Sequence, residues 1–245
     1  MEKEKKFLNG FILFEDENCN FDEIIKNLKE DWEIEINKSE IKDEVLVLEI
    51  NGIRGSLAFI KSPVPNKEAE ENAKNNFLWQ GAVEKVAKHK SHMIVSTFGE
   101  NPIETGKLFV KLSSSVLKLQ NTIGIYEVST VMAREEFLSH SKYLKEEKEL
   151  PIQSIVYIGL YRTKKGISGY TDGLKFFDKK EIEILDSKKE VFDIYNFIFN
   201  IMYYVVENDV ELKDGETIGF SAHQKLPITI SKGVVFEEET IKITF

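Results

Sequence analysis

Apolar positions in this chain recur at two different periods, and the switches between them mark out its elements. Residues 10–15 (Gly-Phe-Ile-Leu-Phe-Glu) are a short run of β-formers bounded by polar Asp16–Asn20, which predicts a buried strand. Asn20 stands three residues before Glu23, the spacing of a capping box, and Phe21, Ile24, Ile25 and Leu28 follow at helical period, so a helix is expected to about Trp32. Trp32, Ile34 and Ile36 alternate and predict a strand. Val45–Leu48 lead into Asn51-Gly52, a two-residue hairpin signal, with the return strand through Leu57–Ile60. Pro63 and Pro65 stop the ladder, and Asn66 is placed to cap a long helix that carries Glu68 and Glu70 in its first turn and runs to about Lys88.

Ser91–Phe98 predicts another strand, and Asn101-Pro102 opens a helix with Leu108, Leu112, Val116 and Leu119 on one face. A strand at Ile123–Val128 and a helix from Thr130 through Leu138 follow. Lys142–Glu149 reads as a charged connector to Pro151 and is the best internal boundary. Beyond it, strands are expected at Ile152–Arg162, Gly173–Phe177 and Glu181–Leu185. Ser187 and Glu190 have capping-box spacing ahead of a helix whose apolar face includes Ile194, Phe197, Ile198, Ile201, Met202 and Val205. Asp214-Gly215 precedes a strand start at Thr217 and short β segments near Pro227–Ile230 and Thr240–Phe245. The first hundred residues have the order of a ferredoxin-like unit, and the rest repeats a similar grammar. The expected architecture is α+β: two ferredoxin-like βαββαβ-type units with sheets packed together in one compact chain, over 1–148 and 149–245, or one continuous domain.

Composition narrows the function classes. Of 245 residues, 42% are hydrophobic and 31% charged, with 5 Pro, an ordinary globular balance. The net charge of −9 repels phosphate backbones and anionic lipid, so neither nucleic acid nor a membrane is an expected partner. The basic group Lys85, Lys88, His89 and Lys90 reads as a solvated helix end. Ile194–Val206, the longest apolar stretch, is interrupted by Asn196 and Asn200 and falls short of the roughly 20 residues that span a bilayer. One cysteine, Cys19, and an N-terminus (Met-Glu-Lys-Glu-Lys-Lys) without an apolar run point to the cytoplasm.

Candidate chemistry is sparse. His89 and His92 are the closest histidine pair, but no Cys-rich or carboxylate cluster adjoins them and zinc sites usually need three protein ligands, so they read as structural imidazoles, and no metal or cofactor is expected. Cys19 and Ser113–Ser115 have no neighbouring base in sequence, and phosphate loops, nucleophile elbows and zinc helices are absent. The three glycines of Gly166–Gly173, with Tyr170, Thr171 and Asp172 between them, suit either close approach of a ligand or a plain turn. Trp79 reads as a core anchor. Asn75 and Asn76 beside it are weak helix formers, suited to hydrogen bonds across the helix surface.

Several blocks taken together carry a resemblance: Asn75–Trp79, His89-Lys-Ser-His-Met-Ile-Val-Ser96, Leu150-Pro-Ile, Gly169-Tyr-Thr-Asp-Gly-Leu174, Glu181-Ile-Glu183 and Asp214-Gly-Glu-Thr-Ile-Gly219. In order and spacing, from about Phe11 onward, they resemble a bacterial family, domain of unknown function 4261. The resemblance implies a bacterial cytosolic α+β protein and transfers no catalytic residue. The matching positions are Trp79, His89, His92, Tyr170, Thr171, Gly173, Asp214, Gly215 and Thr217. The chain departs from the pattern at Asp178, where a glycine is expected after Phe176-Phe177, and at Tyr157, where relatives carry tryptophan. The preferred reading is a non-enzymatic binding or protein-interaction protein of the immunity or stress-accessory sort, with Trp79, His89, His92, Tyr170, Thr171 and Asp214 as candidate binding positions. The alternatives are a metal-assisted or hydrolase-like enzyme assembled from His89, His92 and Asp214, and a structural subunit of a larger assembly.

Overall fold

The computed structural model describes residues 5–221 and 224–245; residues 1–4, part of the stretch read for a signal run, lie outside the described residues. The chain is mixed α+β and divides into two compact units, Met1–Ile155 and Val156–Phe245.

The first unit runs β1 (Lys6–Phe14), α1 (Phe21–Trp32), β2 (Ile41–Lys42), β3 (Val45–Ile50), β4 (Ile53–Ile60), α2 (Glu68–Ala73), α3 (Ala82–Val86), β5 (Ser91–Gly99), α4 (Pro102–Leu117), β6 (Thr122–Glu127), β7 (Thr130–Ala133) and α5 (Arg134–Glu147). Its seven strands lie in the order β2-β3-β4-β5-β1-β6-β7. Local chemistry sets several boundaries. Asn20 Oδ1 accepts the Glu23 N–H at 3.2 Å while Asn20 Nδ2 donates to the Glu23 carboxylate, closing the N-terminus of α1. Asn101 does the same for the Glu104 N–H at the head of α4, with Pro102 at the first turn. Asn51 and Gly52, at φ 51° and 79°, make the expected β3–β4 hairpin.

Side chains alternate across this sheet, so it has two packed faces. On one, α4 approaches so closely that a Cβ on Gly10 would lie 2.9 Å from Phe109 Cζ and one on Gly55 2.7 Å from Leu112 Cδ1. Ile12, Phe14, Ile24, Leu28, Phe109 and Leu112 are fully buried, each contributing about 1.5–3 kcal/mol of apolar transfer. On the other face Leu13, Ile123 and Val131 meet Val64 and the alanines of α2 and α3.

Four expectations are corrected here. The ferredoxin-like order fails because its split βαβ requires the strands joined by the first helix to run parallel. β3, β4, β5 and β1 are successively antiparallel, which leaves β3 antiparallel to β1 with two strands between them. β5 takes the place beside β1 because its residues pair along the whole strand, from Lys6↔Gly99 to Phe14↔Ser91. The long helix over 66–88 is two short ones. Asn76 Oδ1 accepts the N–H groups of Leu78 and Trp79, each at 3.0 Å, and closes a turn that ends helical pairing. Residues 33–37 form no strand, since Glu33 adopts a left-handed φ of 58° and Ile34 N–H returns to Leu28 O at 3.2 Å, a Schellman stop on α1. The charged stretch Lys142–Glu149 is mostly α5, which continues to Glu147 before Lys148 turns left-handed.

The second unit comprises β8 (Tyr157–Arg162), β9 (Ile167–Asp172), β10 (Ile182–Ser187), α6 (Val191–Glu207), β11 (Thr217–Ile218), β12 (Leu226–Lys232) and β13 (Glu239–Ile243). Strand order is β11-β12-β13-β10-β9-β8, and the β10–β13 pair is parallel while its other pairs are antiparallel. This βββαβββ order is again not ferredoxin-like. α6 covers one face, so close to β9 that a Cβ on Gly169 would sit 2.7 Å from Ile198 Cδ1. Residues 174–177, expected as strand, form a 3-10 turn. Ser187 does not cap α6. Its hydroxyl donates to Phe245 O at 2.7 Å and accepts the Lys189 N–H. Among the described residues no helix is long and apolar enough to cross a membrane.

Candidate binding groove

The residues nominated from sequence fall into both units and are engaged locally. His89 is buried at the end of α3, where Nε2 accepts the Val64 N–H at 2.9 Å and Nδ1 donates to Val86 O at 2.7 Å. Both ring nitrogens are therefore occupied, and a metal would have to displace a backbone partner. His92 donates from Nδ1 to Ser62 O at 2.8 Å, and burial, with His89 nearby, lowers its pKa against that bond. Trp79 packs on the Leu13–Val131 cluster with Lys85 Nζ over its ring. Its neighbours Asn75 and Asn76 donate to Ser129 O and Val131 O at 2.7 and 2.9 Å, tying the broken helix to the β6–β7 hairpin.

In the second unit Tyr170 and Thr171 are adjacent on β9 and point to opposite faces. Thr171 is fully buried; its hydroxyl donates to Glu181 and accepts the Ile182 N–H. Glu181 also accepts the Gly173 and Lys175 N–H groups, so this carboxylate fixes the Gly173 turn; burial raises its pKa against those bonds. Tyr170 lies across Gly159, where a Cβ would come within 2.3 Å of its ring, and contacts Tyr157, Tyr161 and Phe236. Asp214 Oδ1 accepts the Ile230 N–H at 2.7 Å and secures β12 beside the Gly215 turn. Asp178 takes a left-handed φ of 58°, which accounts for the glycine expected there.

Two features were missed by sequence reading. Glu183, fully buried on β10, accepts the N–H groups of Val234 and Val235 and the Thr240 hydroxyl, with Lys242 Nζ 3.5 Å away. This anchors the loop between β12 and β13. Tyrosines and a carboxylate alternating along strands carry no signal that separates such an anchor from a solvated face.

The second missed feature is a groove of about 1150 Å³ in the first unit. One wall is the end of α1 with residues 33–36, the other is β3 with the Asn51–Ile53 turn, and α4 closes the base. Trp32, Ile34, Ile36, Leu48, Ile53 and Leu108 supply an apolar lining. Trp32 Nε1 is buried without a hydrogen-bond partner, and Lys111 Nζ stands 5.9 Å from the centre of its ring. Burial lowers the pKa of Lys111, partly offset by Glu104. Six carboxylates also line the groove, against Lys107 and Lys111. Glu35, Glu49 and Glu104 are paired with Lys29, Arg54 and Lys107 at 3.0, 3.3 and 3.0 Å. Glu33, Glu40 and Glu100 have no cation partner among the described residues, so the groove keeps a negative rim.

The groove thus combines an apolar lining with an acidic rim. Residues 170–244, from within β9 to β13, match the family model described as Domain of unknown function (DUF4261). The match covers Tyr170, Thr171 and Asp214; Trp79, His89, His92 and the groove lie outside it. No curated protein and no solved structure matches the chain.

Proposed function

We propose that the protein is a non-enzymatic binding protein that holds a polypeptide partner in the groove of its first unit. The observation that carries this reading is the groove itself: a volume of about 1150 Å³ lined by Trp32 and aliphatic side chains, with three uncompensated carboxylates at its rim. Apolar residues around an aromatic anchor supply the contact energy of interfaces, and the charged rim selects partners by sign. The groups a catalytic reading would use are otherwise engaged. Burial pushes the Cys19 thiol up to about 12, which leaves little thiolate for attack. The Ser154 hydroxyl within 3.0 Å of His140 Nδ1 is fully buried, and burial holds His140 down at about 4. A cytoplasmic accessory role belongs to the same reading and is supported by the single cysteine and the acidic charge.

Photo-cross-linking in cells tests it. A benzoylphenylalanine at Ile36, inside the groove, is expected to trap a discrete polypeptide that the same probe at exposed Phe192 on α6 does not. Equal products from both positions, or none from Ile36, would refute the proposal.

A further inference from the structure

The wall of the groove formed by β3 is paired on its outer side only over its first residues. Residues facing one another across a two-residue turn exchange hydrogen bonds, and bonded and non-bonded pairs then alternate along an antiparallel ladder. Counting back from Ile50↔Ile53, the bonded residues of β3 are Ile50, Leu48 and Leu46, and the Phe59 N–H to Glu44 O bond at 3.0 Å continues that register. The N–H and C=O groups of Val45, Val47 and Glu49 therefore point away from β4. Those of Val45 face Lys42 of β2, but β2 is only two residues long and pairs no further than Leu46. The Ile41↔Leu46 pair is then non-bonded and sets Glu40 opposite the Val47 N–H, and beyond it Glu49 keeps a donor and an acceptor aimed along the groove, with no protein partner among the described residues.

We propose that this edge takes up an extended segment of a partner protein in which apolar residues alternate with lysine or arginine, adding a strand to the seven-stranded sheet. The inference rests on the binding reading above and specifies its mode. Strand addition derives affinity from main-chain hydrogen bonds and specificity from alternate side chains. One set of side chains would enter the apolar lining beside Trp32 and Leu108, and the other would meet Glu33 and Glu100. A second copy of this chain fits poorly, because pairing two β3 edges would bring two acidic grooves together on molecules that each carry a net charge of −9.

The probe is a synthetic Lys-Val-Lys-Val-Lys-Val-Lys peptide titrated into the full chain. Binding is followed by amide chemical shifts and by hydrogen exchange. Shifts at Trp32 and Leu108 together with exchange protection at Glu49 are expected. The Glu-Val counterpart and a Lys-Val peptide N-methylated at alternate amides should not bind. Reversing Glu33 and Glu100 to lysine should weaken binding by about tenfold. Glu49→Pro should weaken it too while leaving the β3–β4 ladder intact, because the lost N–H points outward; an unchanged spectrum elsewhere verifies the fold. Shifts in the groove without protection at Glu49 would overturn strand addition and leave the groove reading standing. No shift in the groove would overturn both, and association of the chain with itself through β3 would replace the partner with a second copy.

Discussion

Glu127 supplies a test of the first unit that depends on electrostatics alone. It ends β6 in register with Thr130, across the tight Val128–Ser129 turn. Its side chain is 6% exposed, and burial pushes the carboxyl well above the usual range. The Thr130 hydroxyl opposite is buried without a hydrogen-bond partner. An unfolded Glu127 titrates near pH ~4.3. Between that value and the raised pKa of the folded state, the folded chain binds more protons than the unfolded one. Stability must then fall as pH rises, by up to about 1.4 kcal/mol per pH unit for one proton. The contribution is fully present below the unfolded pKa and is lost as pH climbs through the folded one. Glu127→Gln keeps the shape and removes the proton. The variant should therefore match the parent near pH ~4 and become progressively more stable above it. Urea unfolding in unit steps from about pH 4 to about pH 8 measures the difference. Glu136 and Glu181, also raised by burial, tilt both proteins alike and cancel. A difference that stays flat over this range would refute the reasoning.

Two further outcomes follow from hydrogen bonds already described. His89→Ala strands the Val64 N–H and the Val86 carbonyl and should cost about 2–4 kcal/mol in a urea melt, while added zinc leaves the midpoint of the parent protein unchanged; a zinc-dependent rise would revive a metal role. Glu183→Gln turns an amide NH2 toward donors and should cost about 2–3 kcal/mol and speed limited proteolysis between Lys232 and Glu238; an unchanged cleavage rate would contradict the anchor.

How much of this was legible in the sequence differs from element to element. The caps at Asn20 and Asn101 and the Asn51-Gly52 turn were readable because each is a contract between residues a few positions apart. The strand order was not, because the choice between β4 and β5 as partner of β1 is made by matching lengths and faces across more than eighty residues. Asn75 and Asn76 gave a partial signal: their misfit in a helix was visible, whereas the β6–β7 hairpin they bind was not. Tyr170, Thr171 and Asp214 are locally distinctive for backbone reasons. The groove instead draws on ordinary residues, Trp32, Leu48, Leu108 and scattered glutamates, whose meaning arises only when α1, β3 and α4 converge.

The parallel pairing of β10 with β13 also bears on how the second unit is made. β13 occupies an interior position, between β12 and β10, yet is the last of this sheet's strands in chain order. Until residues 239–243 emerge, β10 exposes a bare flank to a crowded cell, and Glu183 waits without the loop that satisfies it. Nascent chains stalled before Glu239 should therefore recruit chaperones that chains extended well beyond Ile243 release, which makes completion of the sheet a late, all-or-none event in biosynthesis.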